Sequence, residues 1–433
     1  MKLKLHWQIL IALGCAVIAG YLSGKDAAVF GITLFAIYSF IGALFLNGLK
    51  MIIVPLVVSS IITGIASIGG GQGLGRIGAK TVVYYMVTSL LAILVGLLFV
   101  NLLSPGIIDG LPAYEVLGLD ETYADQVTSK IEGRGVSDIA GVFLSMVPSN
   151  IVSAAANGQM LGLIFFSILF GFFMTRITES YAESQYNFWQ GLYEVMMKIT
   201  DWVMKFAPLG VFGLVAKVVA DIDPAEIGGL ARSLGTFFIS VVLALAVHVL
   251  ITMPLILKFV ARVNPIRHYQ AMAPAMLTAF STASSAATLP LTMECVEKNA
   301  GVSNRTSSFV LPLGATINMD GTALYECVAA MFIAQAYGLE LTLTTQFTVV
   351  LVALLTSIGV AAVPAASLVA ISIILATIGL PAVAIGMILA VDRILDMFRT
   401  SVNVFSDSCG AVVIGKLEGE ENILRSEKAV ASS

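Results

Sequence analysis

The chain has few charged residues and no region of strong positive charge. Of its 433 residues only 12% are Asp, Glu, Lys or Arg, and 23 basic against 27 acidic side chains give a net charge of −4. A nucleic-acid-binding protein needs a basic surface for the phosphates, so that class is excluded. Hydrophobic residues make up 58% of the chain and the mean hydropathy is +0.95, values that indicate an integral membrane protein.

The sequence also lacks the patterns of disulfide and zinc chemistry. Its four cysteines lie singly in apolar or small-residue surroundings, without a CxxC pair: Cys15, Cys295, Cys327 and Cys409. We interpret them as packing residues and expect no organic cofactor.

Apolar stretches long enough to span a bilayer, about 20 residues each, occur along the whole chain. They begin near Trp7, Phe30, Thr81, Ile139, Phe188, Gly235, Ser307, Thr344 and Pro381. They predict an all-α membrane protein with about eight transmembrane helices and additional apolar segments left over.

Basic residues predict the orientation of these helices. Lys2 and Lys4 precede the first span, which follows without a convincing cleavage site, so we expect a retained helix. Arg76 and Lys80 lie at the glycine-rich loop 69–78 between spans two and three, and the positive-inside rule places all four basic residues on the cytoplasmic side. The acid-rich loop 104–138 is then external, and the polar tail 417–433 returns to the cytoplasm. We expect a multi-pass protein of the cell membrane with both termini cytoplasmic.

Two segments of the second half predict re-entrant hairpins. Between Ala271 and Met293, two short apolar arms flank a tip of Ser and Thr, and between Phe347 and Ile374 similar arms flank SIGVAAVPAAS. Irregular backbone at membrane depth is tolerated only where protein buries it or where it lines a cavity. Such paired interruptions are typical of a transporter's binding site, although each tip alone is also compatible with a kink or a surface turn.

The last span carries polar residues at a spacing of three or four, which places them on one helical face. These residues are Asp392, Asp396, Arg399, Thr400, Asn403 and Asp407. A charge at the bilayer centre costs roughly 2.5–3.5 kcal/mol on insertion scales, so the face is expected to line a hydrated site. The alternative is a structural network in which Arg399 pairs with Asp396 alone.

The preceding span has a second polar group, Gly314 and Asn318 to Thr322. Its carboxylate, amide and hydroxyl oxygens suit a hard cation such as sodium, and Asn-Met-Asp-Gly predicts a local unwinding. In the third span Tyr85, Thr88 and Ser89 share a face, which alone would indicate ordinary interhelical hydrogen bonds.

These segments together resemble the dicarboxylate/amino acid:cation symporter family, which includes glutamate/aspartate transporters and excitatory amino acid transporters. The resemblance rests on KMIIVPLVVSSIITGIASIG, MVPSNIVSAAANGQMLGLI, SSAATLP, GATINMDGTALYE, SIGVAAVPAAS and DMFRTSVNVFSDS, in that order along the chain. It implies a homotrimer in contact with membrane lipid, built from inverted repeats and moving by an elevator mechanism.

The resemblance also implies a division of the chain. Residues 1–80 would hold scaffold spans one and two, and 81–103 the third span of the transport domain. Residues 104–262 would hold the external loop, scaffold spans four and five, and the sixth span of the transport domain. Residues 263–416 would hold hairpin 1, span seven, hairpin 2 and span eight, followed by the tail 417–433.

The family pattern assigns a role to individual residues. The substrate-binding set would be Ser284, Ser285, Thr322, Val363, Asp396, Arg399, Thr400 and Asn403. Three sodium sets would be Gly314, Asn318, Asn403 and Asp407; Thr316, Ser357, Ile358 and Val360; and Tyr85, Thr88, Ser89, Asn318 and Asp320. Arg399 would bind the side-chain carboxylate of the substrate, for which its planar fork is suited.

The chain departs from the family pattern at three places. Relatives place a second arginine at the position of Ala283 or of Met397, and neither residue is basic here. Arg393 either supplies that charge or extends toward the membrane interface. The second hairpin has Ala362, Ala365 and Ala366 where relatives are richer in glycine, which puts its gating flexibility in question.

Glu326 is the predicted proton site. It lies four residues after Thr322 on the face directed at the substrate region, and proton-coupled relatives carry Glu at this position. A carboxyl group at this depth is expected either to bind and release a proton near neutral pH or to stay permanently protonated in a structural hydrogen bond.

Three classes of function are compatible with these residues. The favoured one is a symporter of aspartate or glutamate coupled to sodium and a proton, with a C4-dicarboxylate or neutral amino acid carrier as its variant. The second is an anion channel. An intramembrane aspartyl protease is disfavoured because the GxGD signature is missing and Arg399 would keep the carboxylates ionised, so we expect no enzymatic activity.

Overall fold

The computed structural model describes residues 5–68, 74–117, 144, 146–157, 159–221, 227–339, 341–359 and 366–424. The described residues are mostly helical, as expected for an all-α membrane protein. The strands among them form two small antiparallel hairpins, β1 (Ala28–Val29) with β2 (Ile32–Thr33), and β3 (Ile107–Ile108) with β4 (Leu111–Pro112). Each hairpin turns through two residues of positive φ, the backbone form that fits a two-residue turn.

The first half of the chain forms eight described helices. They are α1 (Leu5–Ser23), α2 (Leu34–Ile68), α3 (Leu74–Leu103), α4 (Ala113–Leu117), α5 (Ile151–Ala156), α6 (Met160–Met174), α7 (Glu179–Met204) and α8 (Ala207–Asp221). Helices α7 and α8 meet at a bend of 56°.

The second half begins with α9 (Ile227–Val247), which continues through a π-helical turn (His248–Thr252) into α10 (Met253–Phe259). The remaining elements are α11 (Pro265–Thr282), α12 (Ser285–Glu294), a second π-helical turn (Cys295–Asn299), α13 (Asn304–Ile317), α14 (Asp320–Ala336), α15 (Leu343–Gly359), α16 (Ala366–Thr377), a 3₁₀ segment (Ala382–Met387) and α17 (Leu389–Leu417).

The predicted first hairpin is present as two helices joined by a sharp tip. Pro265 begins α11 after Asn264, whose side chain accepts a hydrogen bond from the N–H of Ile266 at 2.9 Å. Ala283 at the tip has φ +49°, and Ser284 caps the start of α12 by accepting a hydrogen bond from the N–H of Ala287 at 3.2 Å. The Ser-rich tip is therefore both a turn and a helix cap.

The arms of the predicted second hairpin are α15 and α16, which pack against each other. Its tip, with Val360, Ala362, Val363 and Ala365, lies outside the described residues.

The unwinding predicted in span seven is confirmed. Helix α13 ends at Ile317, Asn318 and Met319 have non-helical backbone, and α14 begins at Asp320. Every residue of α14 is buried, so this broken segment forms the centre of the second half of the molecule.

Ion pairs and hydrogen bonds define two opposite ends of the helices. At one end, Glu418 after α17 pairs with Arg76 and Lys80 at the start of α3. At the other end, Arg232 of α9 pairs with Asp109 of the β3–β4 turn. Asn101 near the end of α3 donates to Gln346 near the start of α15 at 3.0 Å. Arg267 in the first turn of α11 instead donates to the carbonyl of Leu424, beyond α17, at 3.2 Å, so the two hairpins begin from opposite ends.

Three described helical segments are individually long and apolar enough to cross a membrane: Leu34–Ala66, Arg76–Leu103 and Gly228–Phe259. The bent pair α7 and α8 would make a fourth. Helix α17 does not qualify by composition because its polar face is charged, and span seven is broken into two short helices. The count of eight spans stays a prediction.

Several helices begin away from the positions that hydropathy suggested. Span three begins at Leu74 rather than near Thr81, and span five at Glu179 rather than near Phe188. The last span begins later than predicted, at Leu389 after a 3₁₀ segment rather than near Pro381. The early starts arise because hydropathy marks the apolar centre of a helix, whereas hydrogen bonding extends the helix through its polar ends. The late start of the last span arises because the apolar residues after Pro381 form the 3₁₀ segment instead of α-helix.

Helices form two packing groups. In the first, α1 and α2 pack against α8, and α2 also packs against α6 and α7. Close approach is possible because Gly213 of α8 faces Gly42 of α2, where a Cβ on Gly213 would lie 2.8 Å from the Gly42 nitrogen. In the second group, α14 packs against α3, α9, α15, α16 and α17.

Residues after α17 attach this end of the chain to α13. Glu420 accepts hydrogen bonds from the N–H of Ser303 at 2.8 Å, from the Ser303 hydroxyl at 2.6 Å and from the Thr306 hydroxyl. Partial burial pushes the pKa of Glu420 up, but the hydrogen bonds from Ser303 and Thr306 outweigh this effect and hold the pKa below its usual value.

Glu420→Gln is expected to lower the stability of the detergent-solubilised protein at pH 7 by about 1 kcal/mol, since a charge-assisted helix cap is lost. A depressed carboxyl pKa stabilises the fold above its ordinary value of about 4.3 and stops doing so as the pH falls through the folded value. Thermal denaturation of wild type and variant followed by gel filtration should therefore differ at pH 7 and converge below about pH 4. Glu183→Gln, at an exposed position of α7, is the control, and a constant difference at all pH values would contradict the expectation.

Candidate functional site

The centre of the polar face of α17 is a buried arginine. The side chain of Arg399 is 1% exposed, and its Nη2 donates to Asp392 Oδ1 at 3.2 Å and to Asp396 Oδ1 at 3.1 Å. Its guanidinium lies over the ring of Tyr325, 3.9 Å from the centroid. Nε and Nη1 have no hydrogen-bond partner among the described residues. A buried guanidinium with two free donors is suited to bind a carboxylate in the planar, bidentate way.

Asp396 has a second basic neighbour. Arg393 Nη1 lies 2.8 Å from Asp396 Oδ2, so the two oxygens of this carboxylate contact two different guanidinium groups. Sequence reasoning left open whether Arg393 supplies a missing charge or extends to the interface, and its guanidinium points to Asp396.

Asn403 connects α17 to the start of α14. Its Oδ1 accepts from the N–H of Gly321 at 2.8 Å and of Thr322 at 3.4 Å, and its Nδ2 donates to Thr322 Oγ1 at 3.1 Å. Close packing requires the glycine, since a Cβ on Gly321 would lie 2.8 Å from the carbonyl oxygen of Arg399. Thr400, next to Arg399, is also buried.

Hairpin 1 contacts the same helix. The hydroxyl of Ser401 donates to the carbonyl of Met276 at 3.1 Å, which joins α17 to α11. Ser284 and Ser285 lie at the tip of that hairpin. The predicted site residue Val363 lies outside the described residues.

A buried carboxylate, Asp320, lies at the first position of α14. Its Oδ1 accepts from Ser89 at 2.6 Å and Thr88 at 3.3 Å, and its Oδ2 accepts from the hydroxyl of Ser406. Three members of the third predicted sodium set, Thr88, Ser89 and Asp320, therefore lie in contact, and their role as ion ligands stays a prediction. His248 Nε2 also lies 3.3 Å from Asp320 Oδ2, and sequence reasoning did not identify this contact.

Asn318 and Asp407 form a second oxygen cluster beside the helix break. Asn318 Nδ2 donates to Asp407 Oδ1 at 2.9 Å and to Ser406 Oγ at 3.2 Å. Asn318 Oδ1 is buried and has no hydrogen-bond partner among the described residues. An orphaned amide oxygen next to a carboxylate fits a hard cation.

Tyr85 belongs to this second cluster by position. A Cβ on Gly314 would lie 2.5 Å from Tyr85 Oη and 2.6 Å from Asp407 Oδ1, so the three residues converge. The Tyr85 hydroxyl donates to the carbonyl of Val310 at 2.8 Å. No hydrogen bond of Tyr85 to Asp320 is seen among the described residues, so their shared sodium set stays a prediction.

The remaining predicted ion ligands lie near helix ends. Thr316 is in the last turn of α13, and Ser357 and Ile358 are in the last turn of α15. The final carbonyls of a helix have no partner within that helix, so they can coordinate a cation. Val360 lies outside the described residues.

Glu326 lies in the middle of α14 and is 1% exposed. Its Oε2 accepts from the hydroxyl of Thr356 on α15 at 3.2 Å. The predicted proton site is therefore in contact with an arm of hairpin 2.

Comparison with known proteins identifies the family of this chain. A profile described as "Sodium:dicarboxylate symporter family" matches residues 5–417. The chain belongs to the sodium:dicarboxylate symporter family. It is therefore a transporter rather than an enzyme, and the protease interpretation is excluded.

Relatives of this transporter cover most of its length. It is 35% identical to the proton/sodium-glutamate symport protein of Geobacillus stearothermophilus, over 99% of this chain and 98% of that protein. It is 35% identical to the proton/glutamate-aspartate symporter of Escherichia coli strain K12, over 96% and 94% of the two chains. It is 36% identical to human excitatory amino acid transporter 3, over 89% and 80%.

Gly314→Ala is expected to raise the sodium concentration needed for half-maximal uptake by about tenfold, because a methyl group would displace Tyr85 or Asp407, with overpacking typically costing roughly 1–3 kcal/mol. Uptake of labelled substrate is measured against sodium concentration. Gly235→Ala in α9 is the matched control, since no atom lies within 4 Å of a Cβ built at Gly235. Equal sodium dependence of the two variants would show that Gly314 has no part in an ion site.

Proposed function

We propose that this transporter is a secondary active symporter of acidic amino acids, aspartate or glutamate, driven by sodium and proton gradients. The observation that carries the proposal is the buried guanidinium of Arg399, which contacts two carboxylates and whose Nε and Nη1 have no hydrogen-bond partner in the described part of the chain. The relatives named as glutamate, glutamate-aspartate and excitatory amino acid transporters support the same class of substrate.

The substrate would bind between α17, the start of α14 and the two hairpin tips. Arg399 would bind the side-chain carboxylate, and Asp396 would accept a hydrogen bond from the ammonium group. Thr400 and Asn403 would bind the main-chain groups. Thr322 and the tip residues Ser284, Ser285 and Val363 would close the site.

Sodium ions would be co-transported in the three predicted sets of oxygen ligands. The Oδ1 of Asn318, which lies beside Asp407 and has no partner among the residues described, supports the first set, and the carbonyls in the last turns of α13 and α15 support the second. Thr88 and Ser89 around Asp320 support the third.

Coupling follows from the contacts between these ion ligands and the substrate ligands. Asp320 is adjacent to Gly321, whose N–H donates to Asn403, and Asn403 in turn donates to Thr322. A cation at Asn318 and Asp320 would fix the helix break, and a fixed break orients Asn403 and Thr322 for the substrate. Ions would thus raise substrate affinity, and substrate would raise ion affinity by the same factor.

The two packing groups support the proposed division into a scaffold and a transport domain. Helices α1, α2, α6, α7 and α8 would form the scaffold of a homotrimer in the cell membrane. Helix α3, α9, both hairpins, α13, α14 and α17 would move together as an elevator through an eight-span fold of inverted repeats. Arg76, Lys80 and Glu418, at one end, are the groups expected on the cytoplasmic side.

The deciding experiment is uptake of labelled amino acids into proteoliposomes under sodium, proton and potassium gradients imposed one at a time. Accumulation of aspartate or glutamate that requires sodium supports the proposal. Uptake of only succinate or only neutral amino acids would identify another substrate within the family, and current without counterflow would identify an anion channel.

Arg399→Cys is expected to lower the apparent affinity for aspartate by at least about thirtyfold, because truncating one partner of a buried charge pair costs roughly 2–5 kcal/mol. Competition by neutral amino acids such as serine should increase, since the pocket loses its cation. Arg399→Lys retains the charge without the bidentate fork, so its aspartate affinity should lie between those of wild type and Arg399→Cys. Wild-type aspartate affinity in Arg399→Cys would disprove the role of this residue.

Glu326→Gln is expected to abolish the pH dependence of uptake between about pH 5 and 8 while sodium-driven exchange persists, because the variant has no titratable group there. The rate of labelled aspartate exchange is measured across this pH range. Thr356→Val is the matched control, since it removes the hydrogen bond to Glu326 and leaves the carboxyl group in place. An unchanged pH profile in Glu326→Gln would favour a purely structural glutamate.

A further inference from the structure

Arg393 has no role in the binding scheme above, although it lies at the edge of the site. Its side chain is 27% exposed, and its Nη1 lies 2.8 Å from Asp396 Oδ2, three residues along α17. The other oxygen of Asp396 lies 3.1 Å from Nη2 of Arg399. Asp396 is thus held between two guanidinium groups.

The charges of this group balance only when Arg393 is included. Arg399 faces two carboxylates, Asp392 and Asp396, which together would leave a net charge of −1 beside the proposed substrate. Arg393 brings the sum to zero. In the described part of the chain, the ion pairs of Asp396 are those with Arg393 and Arg399. The two positions at which relatives carry a further arginine are the uncharged Ala283 and Met397 here.

The pairing also determines which donors of Arg399 remain free. Asp392 and Asp396 both accept from Nη2, and Nε and Nη1 have no hydrogen-bond partner among the residues that the structure describes. Without Arg393, Oδ2 of Asp396 would lack a cation and could turn to Nε or Nη1, since carboxylates prefer a bidentate contact with arginine. Asp396 would then compete with a substrate carboxylate for the same donors.

We propose that Arg393 is a specificity-determining positioning residue, which holds and neutralises Asp396 so that Arg399 keeps two donors for the carboxylate of an anionic substrate. The inference rests on the proposed transport of acidic amino acids. It assigns the preference for an acid over its neutral amide to a pair of arginines rather than to Arg399 alone.

The test compares wild type with Arg393→Met, Arg393→Lys and the control Arg232→Met in proteoliposomes. Arg232 also pairs with an aspartate, Asp109, but at the exposed end of α9. Labelled aspartate uptake gives the half-saturating aspartate and sodium concentrations and the maximal rate, and competition by unlabelled asparagine gives the discrimination between acid and amide.

Arg393→Met should raise the half-saturating aspartate concentration about three- to tenfold. The Arg393–Asp396 pair is partly exposed, so its loss should cost more than the loss of a fully exposed ion pair and less than the loss of a buried one. Discrimination against asparagine should fall by a similar factor, while the maximal rate and half-saturating sodium stay near wild type. Arg393→Lys should restore most of the affinity, and Arg232→Met should behave as wild type.

Two results would overturn the inference. One is wild-type affinity and discrimination in Arg393→Met, and the other is a loss confined to the maximal rate or to stability, which would indicate a structural role. Arg393→Gln is measured in parallel and interpreted in the same way if Arg393→Met does not elute as folded protein. If wild type takes up no aspartate, the proposed function fails and the inference falls with it. If wild type takes up aspartate and the Arg393 variants keep its affinity and discrimination, the inference alone is refuted.

Discussion

The arrangement of the site depends on the unsatisfied N–H groups at the start of a helix that is buried along its whole length. Where α14 begins after the break at Asn318 and Met319, its first N–H groups have no partner within the helix and belong to buried residues. The amide oxygen of Asn403 accepts from two of them, at Gly321 and Thr322. This contact fixes α17 against α14 and therefore determines where the other polar groups of both helices lie.

Polar groups around the break are satisfied by one another with few exceptions, and the exceptions are informative. Asp320 is surrounded by three hydroxyl donors and the imidazole of His248. By contrast, within the described ranges Asn318 keeps an unpaired acceptor and Arg399 keeps unpaired donors. In a buried region an unpaired acceptor favours a cation and unpaired donors favour an anion. Both occur within one cluster of helices, as co-transport of a cation and an anion requires.

Sequence reasoning identified features that depend on local order. The polar face of α17, the tip of hairpin 1 and the interruption at Asn318 follow from helical spacing, from Ser capping and from turn residues in an apolar run. Contacts between distant segments could not be derived in this way. A lone histidine in an apolar span gives no sign that it faces Asp320, and nothing in Tyr85 reveals that its hydroxyl lies beside Gly314 and Asp407. Arg393 and Asp396 are at local spacing, but that spacing alone did not distinguish their pairing from an extension of Arg393 toward the membrane interface.

The π-helical turn from His248 to Thr252 makes the sixth span sensitive to length rather than to composition. Such a turn contains one residue more than an α-helical turn, and it is often found at functional positions. The extra residue sets the rotation of α10 relative to α9, and His248 at its start faces Asp320. Apolar residues on the outer side of this span can therefore be exchanged for one another, whereas removal of a single residue would rotate everything that leads into hairpin 1 by about a quarter of a turn.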